Sequence, residues 1–306
     1  MNLTLTGVVP PVVTPLNRDR TFDVTSFERV INRMIDAGVA GVFVLGSTGE
    51  VAFCTDAMRR QVMTEARRVV AGRVPLIAGV IDTQTPRVLD HIRGAEESGV
   101  DAVVATAPFY AVTPVEQIAR HFSILGRRSS LPVLAYDIPV CVGVKLDPDM
   151  LVGLGRQGLL AGVKDSSGDD VSFRRLALRN ADAGSPLSLL TGHEVVVDGS
   201  YLSGANGSVP GLANVDPAGF VALDQAYRRG DWDAARREQD RLARLMEICF
   251  SPKNTAGWGA GVGAFKTALV LLNVIETNQL PEPFEALEGA DVDAIRIILE
   301  AHGPRR

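Results

Sequence analysis

Short apolar runs alternate with amphipathic stretches along the first three quarters of the chain. No other feature restricts the fold as strongly. The runs are Gly7–Val13, Gly41–Gly46, Val74–Val80, Ala102–Ala107, Pro132–Ile138, Leu160–Lys164, Leu187–Leu190 and Gly207–Gly211. Each has the length of a strand, and their near-continuous apolarity marks strands buried on both faces of a parallel sheet. Helix starts are readable between them. Thr55, Thr85 and Thr113 supply capping hydroxyls, the last two just ahead of Pro86 and Pro114 at the first helical position. Gly38, Gly72 and Gly99 close helices. Eight βα cycles end near Arg229, which predicts an α/β fold of the (β/α)8 TIM-barrel type over residues 1–229. Residues 230–306 read as a C-terminal helical extension packed on the barrel, with helices over Asp231–Ile248, Gly259–Ile275 and Asp291–Ala301. A doubly wound sheet is the competing fold. It would place a glycine fingerprint after the first strand, where the chain instead has Thr14-Pro15-Leu16-Asn17-Arg18.

The charge balance narrows the partners. A net charge of −5 without a basic stripe gives no footprint for nucleic acid. The three cysteines, Cys54, Cys141 and Cys249, are odd in number and far apart, which fits a reduced cytoplasmic protein. The opening Met1-Asn2-Leu3-Thr4 lacks the pattern of a secretory leader. No apolar run approaches the ~18 residues of a membrane span, so no membrane partner is expected.

In a barrel, residues at the C-terminal strand ends converge on one site. Strand six ends at Lys164, one of only four lysines beside 27 arginines. An arginine cannot serve as an amine nucleophile, whereas a lysine at the mouth of a buried strand can lose its proton and attack a carbonyl. Strand two ends in Gly46-Ser47-Thr48-Gly49-Glu50, where two hydroxyls between glycines make a cradle suited to a carboxylate. Strand five ends at Tyr136, a candidate proton relay. Strand four leads to Tyr110, and strand seven to His193 and Glu194. His91, His121 and His302 lie elsewhere, so no metal-ligand spacing is found and neither a metal nor a cofactor is expected.

Three motifs in register carry a resemblance: Gly46–Glu50, then Tyr136-Asp137-Ile138-Pro139, then Gly162-Val163-Lys164-Asp165-Ser166-Ser167-Gly168-Asp169. Together they resemble the N-acetylneuraminate lyase/dihydrodipicolinate synthase family of class I aldolases. The resemblance implies a (β/α)8 barrel, a covalent lysine imine in place of any cofactor, and a homotetramer built as a dimer of dimers. It implies that Lys164 is the Schiff-base lysine, that Tyr136 shuttles protons, and that Ser47 and Thr48 hold the 2-oxo acid carboxylate. It implies that Tyr110 reaches into a neighbouring subunit's site to complete a hydroxyl relay, and that the Val209 carbonyl faces the bound pyruvoyl group.

Two departures bear on the second substrate. Dihydrodipicolinate synthases read Tyr-Asn-x-Pro-x-Arg-Thr-Gly and use that arginine to pair with a substrate carboxylate. Here Cys141 stands at the arginine's position, between Val140 and Val142, and a neutral thiol cannot form a bidentate pair. Sialic-acid lyases carry an Asp-Glu pair on strand seven for sugar hydroxyls; here the pair becomes Glu194 and Val195. The expected substrate-binding set is therefore Ser47, Thr48, Val209, Cys141, Ser166 and Glu194. The expected reaction is aldol or lyase chemistry on pyruvate or a 2-oxo-3-deoxy acid, with a small aldehyde as partner. The alternatives are 4-hydroxy-tetrahydrodipicolinate (dihydrodipicolinate) synthase chemistry with aspartate semialdehyde, and a catalytically silent barrel that binds a 2-oxo acid.

Overall fold

The computed structural model describes residues 5–111, 113–253 and 255–304. Each apolar run holds a parallel strand, two of them reaching one residue past the run (Asp165, Thr191): β1 (Gly7–Val8), β2 (Val42–Val44), β3 (Leu76–Gly79), β4 (Ala102–Thr106), β5 (Val133–Asp137), β6 (Gly162–Asp165), β7 (Ser188–Thr191) and β8 (Gly207–Ser208). Neighbours pair in the order β1-β8-β7-β6-β5-β4-β3-β2. The two ends of that order meet, because the Val12 amide donates to the Phe43 carbonyl at 2.8 Å and the Phe43 amide to the Pro10 carbonyl at 2.9 Å. The sheet is thus closed into a (β/α)8 barrel, and closure leaves no open sheet edge. Where the barrel wall is tightest only glycine fits: a Cβ on Gly79 would come 1.9 Å from the Leu45 carbonyl oxygen.

β1 and β8 are shorter than the apolar runs that contain them. Pro10, Pro11 and Pro210 have no N–H to continue a ladder, so pairing gives way to single bonds there. Thr55 caps its helix as expected, accepting from the Met58 amide. The other two threonine caps are corrected. The helix Thr85–Glu97 is capped by Gln84 without a side-chain bond, and the Thr85 hydroxyl turns to His121 Nδ1 at 2.9 Å. The helix Val115–Arg128 begins one residue later than expected, after Pro114, while the Thr113 hydroxyl bonds the Ala111 carbonyl. In both cases the hydroxyl is engaged by a partner other than the helix amides.

After β8 the chain continues through helices Pro217–Arg228, Trp232–Met246, Trp258–Leu271 and Ala290–His302. Gln239 ties the second of these to the barrel mouth, since its side chain accepts from the Val197 amide and donates to the Glu194 carbonyl. The third is apolar nearly all round and buried on most of its length. It carries Lys266, 0% exposed, whose ammonium meets Glu50 Oε2 at 2.6 Å and the Gln279 carbonyl at 3.0 Å. This ion pair sits directly under the turn that follows β2.

Candidate active site

β5 and β6 are neighbours, with Tyr136 opposite Lys164. Side chains alternate along a strand, so both residues project to the same face. The Lys164 ammonium lies 4.0 Å from the centroid of the Tyr136 ring and 5.0 Å from that of Phe43. Lys164 is 4% exposed and forms no ion pair among the described residues. The other lysines differ. Lys145 pairs with Asp137 and Asp165, Lys266 pairs with Glu50, and Lys253 is exposed. Of the four lysines, Lys164 alone combines burial with the absence of an ion pair among the described residues, which suits an amine nucleophile.

The Tyr136 hydroxyl is 3.3 Å from Ser47 Oγ, which joins the ends of β5 and β2. The turn holding Ser47 is closed by Glu50 N–H donating to the Ser47 carbonyl at 3.0 Å. Thr14 Oγ1 braces it, donating to the Gly49 carbonyl at 2.8 Å. Among the described residues the Ser47 and Thr48 amides have no backbone acceptor, which leaves a concavity of donors. Leu45 and Glu50 flank it with φ of +56° and +59°, a conformation unfavourable for non-glycine residues and concentrated at functional sites. At the end of β8 the Val209 amide donates to the Thr191 carbonyl at 2.7 Å, while the Val209 carbonyl accepts no backbone bond among the described residues.

Glu194 joins this group. Its Oε2 accepts from the Leu212 amide at 2.5 Å. A Cβ placed on Gly211 would lie 3.0 Å from Glu194 Oε1 and 3.2 Å from Thr48 Oγ1, so the carboxyl reaches the neighbourhood of the cradle. Burial pushes the Glu194 carboxyl up to about 7, against the pull of the Leu212 and Gly211 amides and of the Lys164 charge. Cys141 is exposed at the mouth, and partial burial of its sulfur raises the thiol while the Lys164 charge opposes the shift. Ser166 follows Lys164 by two residues and packs on Gly192, where a Cβ would fall 2.0 Å from its Oγ. His193 Nδ1 stands 3.5 Å from Asp170 Oδ1, at the rim. Tyr110 does not join the site of its own chain: it is 99% exposed, with φ +73°. Phe43, under Lys164, is not visible as a site residue in the sequence because it sits inside a run of apolar residues. Asp137 and Lys145 are hidden too, since their pairing closes over the seven residues between them.

Among the described residues no group of three or more His, Cys, Asp or Glu side chains could hold a metal ion. No helix among them is long and apolar enough to cross a membrane. The model of the dihydrodipicolinate synthetase family matches residues 4–302. The chain belongs to this family. Members of the dihydrodipicolinate synthetase family are class I pyruvate-dependent lyases, and the chain is an enzyme of that class. It is 29% identical over 299 residues to a 4-hydroxy-tetrahydrodipicolinate synthase of Methanoculleus marisnigri, covering 97% of this chain and 99% of the relative. It is 33% identical over 293 residues to an uncharacterized DapA-like lyase of Halobacterium salinarum, covering 96% and 92%. The solved dihydrodipicolinate synthase of Bacteroides thetaiotaomicron superposes with a TM-score of 0.92 at 29% identity, over 98% of this chain and all of that one.

Proposed function

We propose that Lys164 forms the imine and that the enzyme makes or breaks a carbon–carbon bond between pyruvate, or a 2-oxo-3-deoxy acid, and a small aldehyde. The observation that carries this is the buried Lys164 ammonium, held in no ion pair among the described residues, against the Tyr136 ring, with Tyr136 bonded to Ser47. The amine attacks C2 of the 2-oxo acid and water leaves. The protonated imine then accepts the electron pair released at C3 when the C3–C4 bond breaks, giving an enamine; in the reverse direction the pyruvate imine gives up a C3 proton to the Tyr136 relay and the resulting enamine attacks the aldehyde carbon. Tyr136 relays the proton to or from the aldehyde oxygen, a role worth roughly 10²–10⁴ in rate. Ser47 and Thr48 hold the carboxylate with their hydroxyls and free amides, and the Val209 carbonyl faces the pyruvoyl group. Cys141, Ser166 and Glu194 line the side of the second substrate.

The exposure of Tyr110 and its strained backbone support a role across a subunit interface, in a cytoplasmic homodimer or homotetramer. Residues 1–229 are taken as the catalytic barrel and residues 230–306 as the helical extension packed on it. A second reading, 4-hydroxy-tetrahydrodipicolinate synthase, is favoured by the name of the Methanoculleus relative. The neutral Cys141 at the arginine's place speaks against it. Borohydride trapping with pyruvate tests the imine: one reduced pyruvoyl group per chain is expected on Lys164 and none in Lys164→Ala. An adduct on Lys145, Lys253 or Lys266 refutes the assignment. Turnover of pyruvate with aspartate semialdehyde, set against turnover with neutral aldehydes, separates the two substrate readings.

A further inference from the structure

Directly after the catalytic pair, β5 and β6 place Asp137 opposite Asp165. Alternation turns these two carboxylates to the opposite face from Tyr136 and Lys164, into the layer between strands and helices. Asp137 is 0% exposed and Asp165 5%. Two carboxylates at opposed positions of neighbouring strands repel, and burial sharpens the repulsion. Burial pushes Asp137 up to about 6, with Lys145 opposing and Asp165 reinforcing the shift. The Lys145 ammonium lies between them, bonded to Asp137 Oδ2 and 3.4 Å from Asp165 Oδ2. Each carboxylate has a second tie: Asp137 Oδ1 accepts from the Leu146 amide at 3.1 Å, and Asp165 Oδ1 from the Ser167 amide at 2.8 Å.

Lys145 comes from the segment that leaves the top of β5. That segment makes a single helical turn, Pro139–Val142, ends it at Gly143 with φ +74°, and doubles back. Lys145 and Leu146 then both bind Asp137, the last residue of the strand from which the segment started. Residues 138–146 therefore form a loop closed on its own root. The helical turn at its far end carries Val140, 88% exposed, and Cys141, whose sulfur lies within range of the Lys164 charge. Asparagine, which dihydrodipicolinate synthases carry after this tyrosine, could accept from an amide as Asp137 does but could not form the ion pair.

We infer that Lys145 is a positioning residue for the second substrate: by bridging Asp137 and Asp165 it staples the loop whose tip, Val140 and Cys141, forms the wall facing the Lys164 imine. This rests on the proposed role of Lys164. It implies that the pyruvate half of the site is built without Lys145, because the side-chain bonds of Lys145 go to the two aspartates while Tyr136 bonds Ser47. The aldehyde half, in contrast, depends on it.

The test compares Lys145→Met, Lys145→Arg and the double variant Lys145→Met/Asp137→Asn with the parent, on three readouts. Amide hydrogen exchange over residues 138–146 needs no activity, and Lys145→Met should lose tenfold or more of its protection there. Imine trapping with pyruvate should proceed at the parent rate. KM for the aldehyde should rise tenfold or more while KM for pyruvate changes less than twofold, and Lys145→Arg should restore most of both losses. If the single variant fails to fold, the double variant, which removes the fully buried one of the two carboxylates left without Lys145, takes its place. Unchanged exchange in the loop overturns the staple. Equal changes in the two KM values, or no rescue by arginine, overturn the assignment to the second substrate. Absence of an imine in the parent overturns the reading of Lys164 instead, and leaves the exchange result to judge the staple alone.

Discussion

Replacing Lys266 by methionine removes one half of an ion pair that has almost no access to water. Lys266 is 0% exposed and Glu50 2%. Glu50 Oε1 already lacks a hydrogen-bond partner among the described residues, and the bond from Oε2 to Lys266 is its other side-chain tie. Lys266→Met would leave the whole carboxylate buried and unpaired. Removing one partner from such a pair costs about 3–5 kcal/mol, and with an unfolding entropy of about 2.1 cal/mol/K per residue this corresponds to a Tm lower by about 5–8 °C. The sign of the pH dependence follows from Glu50, whose carboxyl burial raises and Lys266 pulls back. Without Lys266 the carboxyl rises further. A raised carboxyl costs stability progressively as pH climbs from its unfolded value to its folded one, so the deficit of Lys266→Met should be smaller at pH 5 than at pH 8. The assay is a set of thermal melts on parent, Lys266→Met, Glu50→Gln and the double variant at both pH values. The double variant should recover a large part of the single-variant loss, because it no longer buries a charge. A double variant that melts no higher than Lys266→Met, or a single variant that melts like the parent, refutes the reasoning.

Three further outcomes follow from the geometry. Cys141→Arg should shift preference from neutral toward carboxylate-bearing aldehydes, by tenfold for each ~1.4 kcal/mol that the new charge-assisted pair contributes. Unchanged selectivity in a folded variant would remove Cys141 from the second-substrate wall. Tyr110→Phe and Tyr136→Phe should each lose about 10²–10⁴ in kcat, as loss of acid–base relay does, yet their mixture should regain activity through hybrid sites; full activity in a species that sizes as a monomer contradicts the shared site. Glu194, with its carboxyl near 7 and hence above its ordinary range, should destabilise the fold as pH rises from 4.5 toward 7. The Glu194→Gln variant should therefore show a flatter dependence of Tm on pH between 5 and 8, and identical profiles would rule that burial out.

Much of this molecule is visible in its sequence for one physical reason. A barrel strand is covered on both faces, so it is written as an apolar run, and the first polar residue after the run marks the mouth. Lys164, Tyr136 and Ser47 stand out in this way. What stays hidden depends on contacts that strand order creates. Glu50 and Lys266 meet across 216 positions, and nothing local in the apolar helix Trp258–Leu271 says which acid its lysine will find. The loop after β5 reads as Asp137 and Lys145 with seven residues between; their pairing requires Gly143 to turn the chain back. Phe43 is invisible for the opposite reason: an aromatic residue within an apolar run is indistinguishable from packing until the lysine is found above it. The expected threonine caps are missing at Thr85 and Thr113 because each hydroxyl is engaged by another partner, and His121 belongs to another helix.

The uneven placement of the four lysines has a practical side. One lies inside the barrel mouth, one is buried in the helical extension and one is engaged between two aspartates, so Lys253 is the single exposed side-chain amine among the described residues. A reagent that acylates amines from solution therefore meets, beside the α-amino group, one exposed address per chain among the described residues, Lys145 being half-buried between its two aspartates. That address is remote in sequence from every residue assigned to chemistry. Coupling through it to a surface or a dye would hold every molecule by the same point and leave Lys164, the proposed imine-forming amine, untouched. On the proposed chemistry, a 2-oxo acid and a hydride donor invert the preference, and the label is expected at Lys164. The same protein can thus be tagged at two different amines in sequence, by choice of reagent alone.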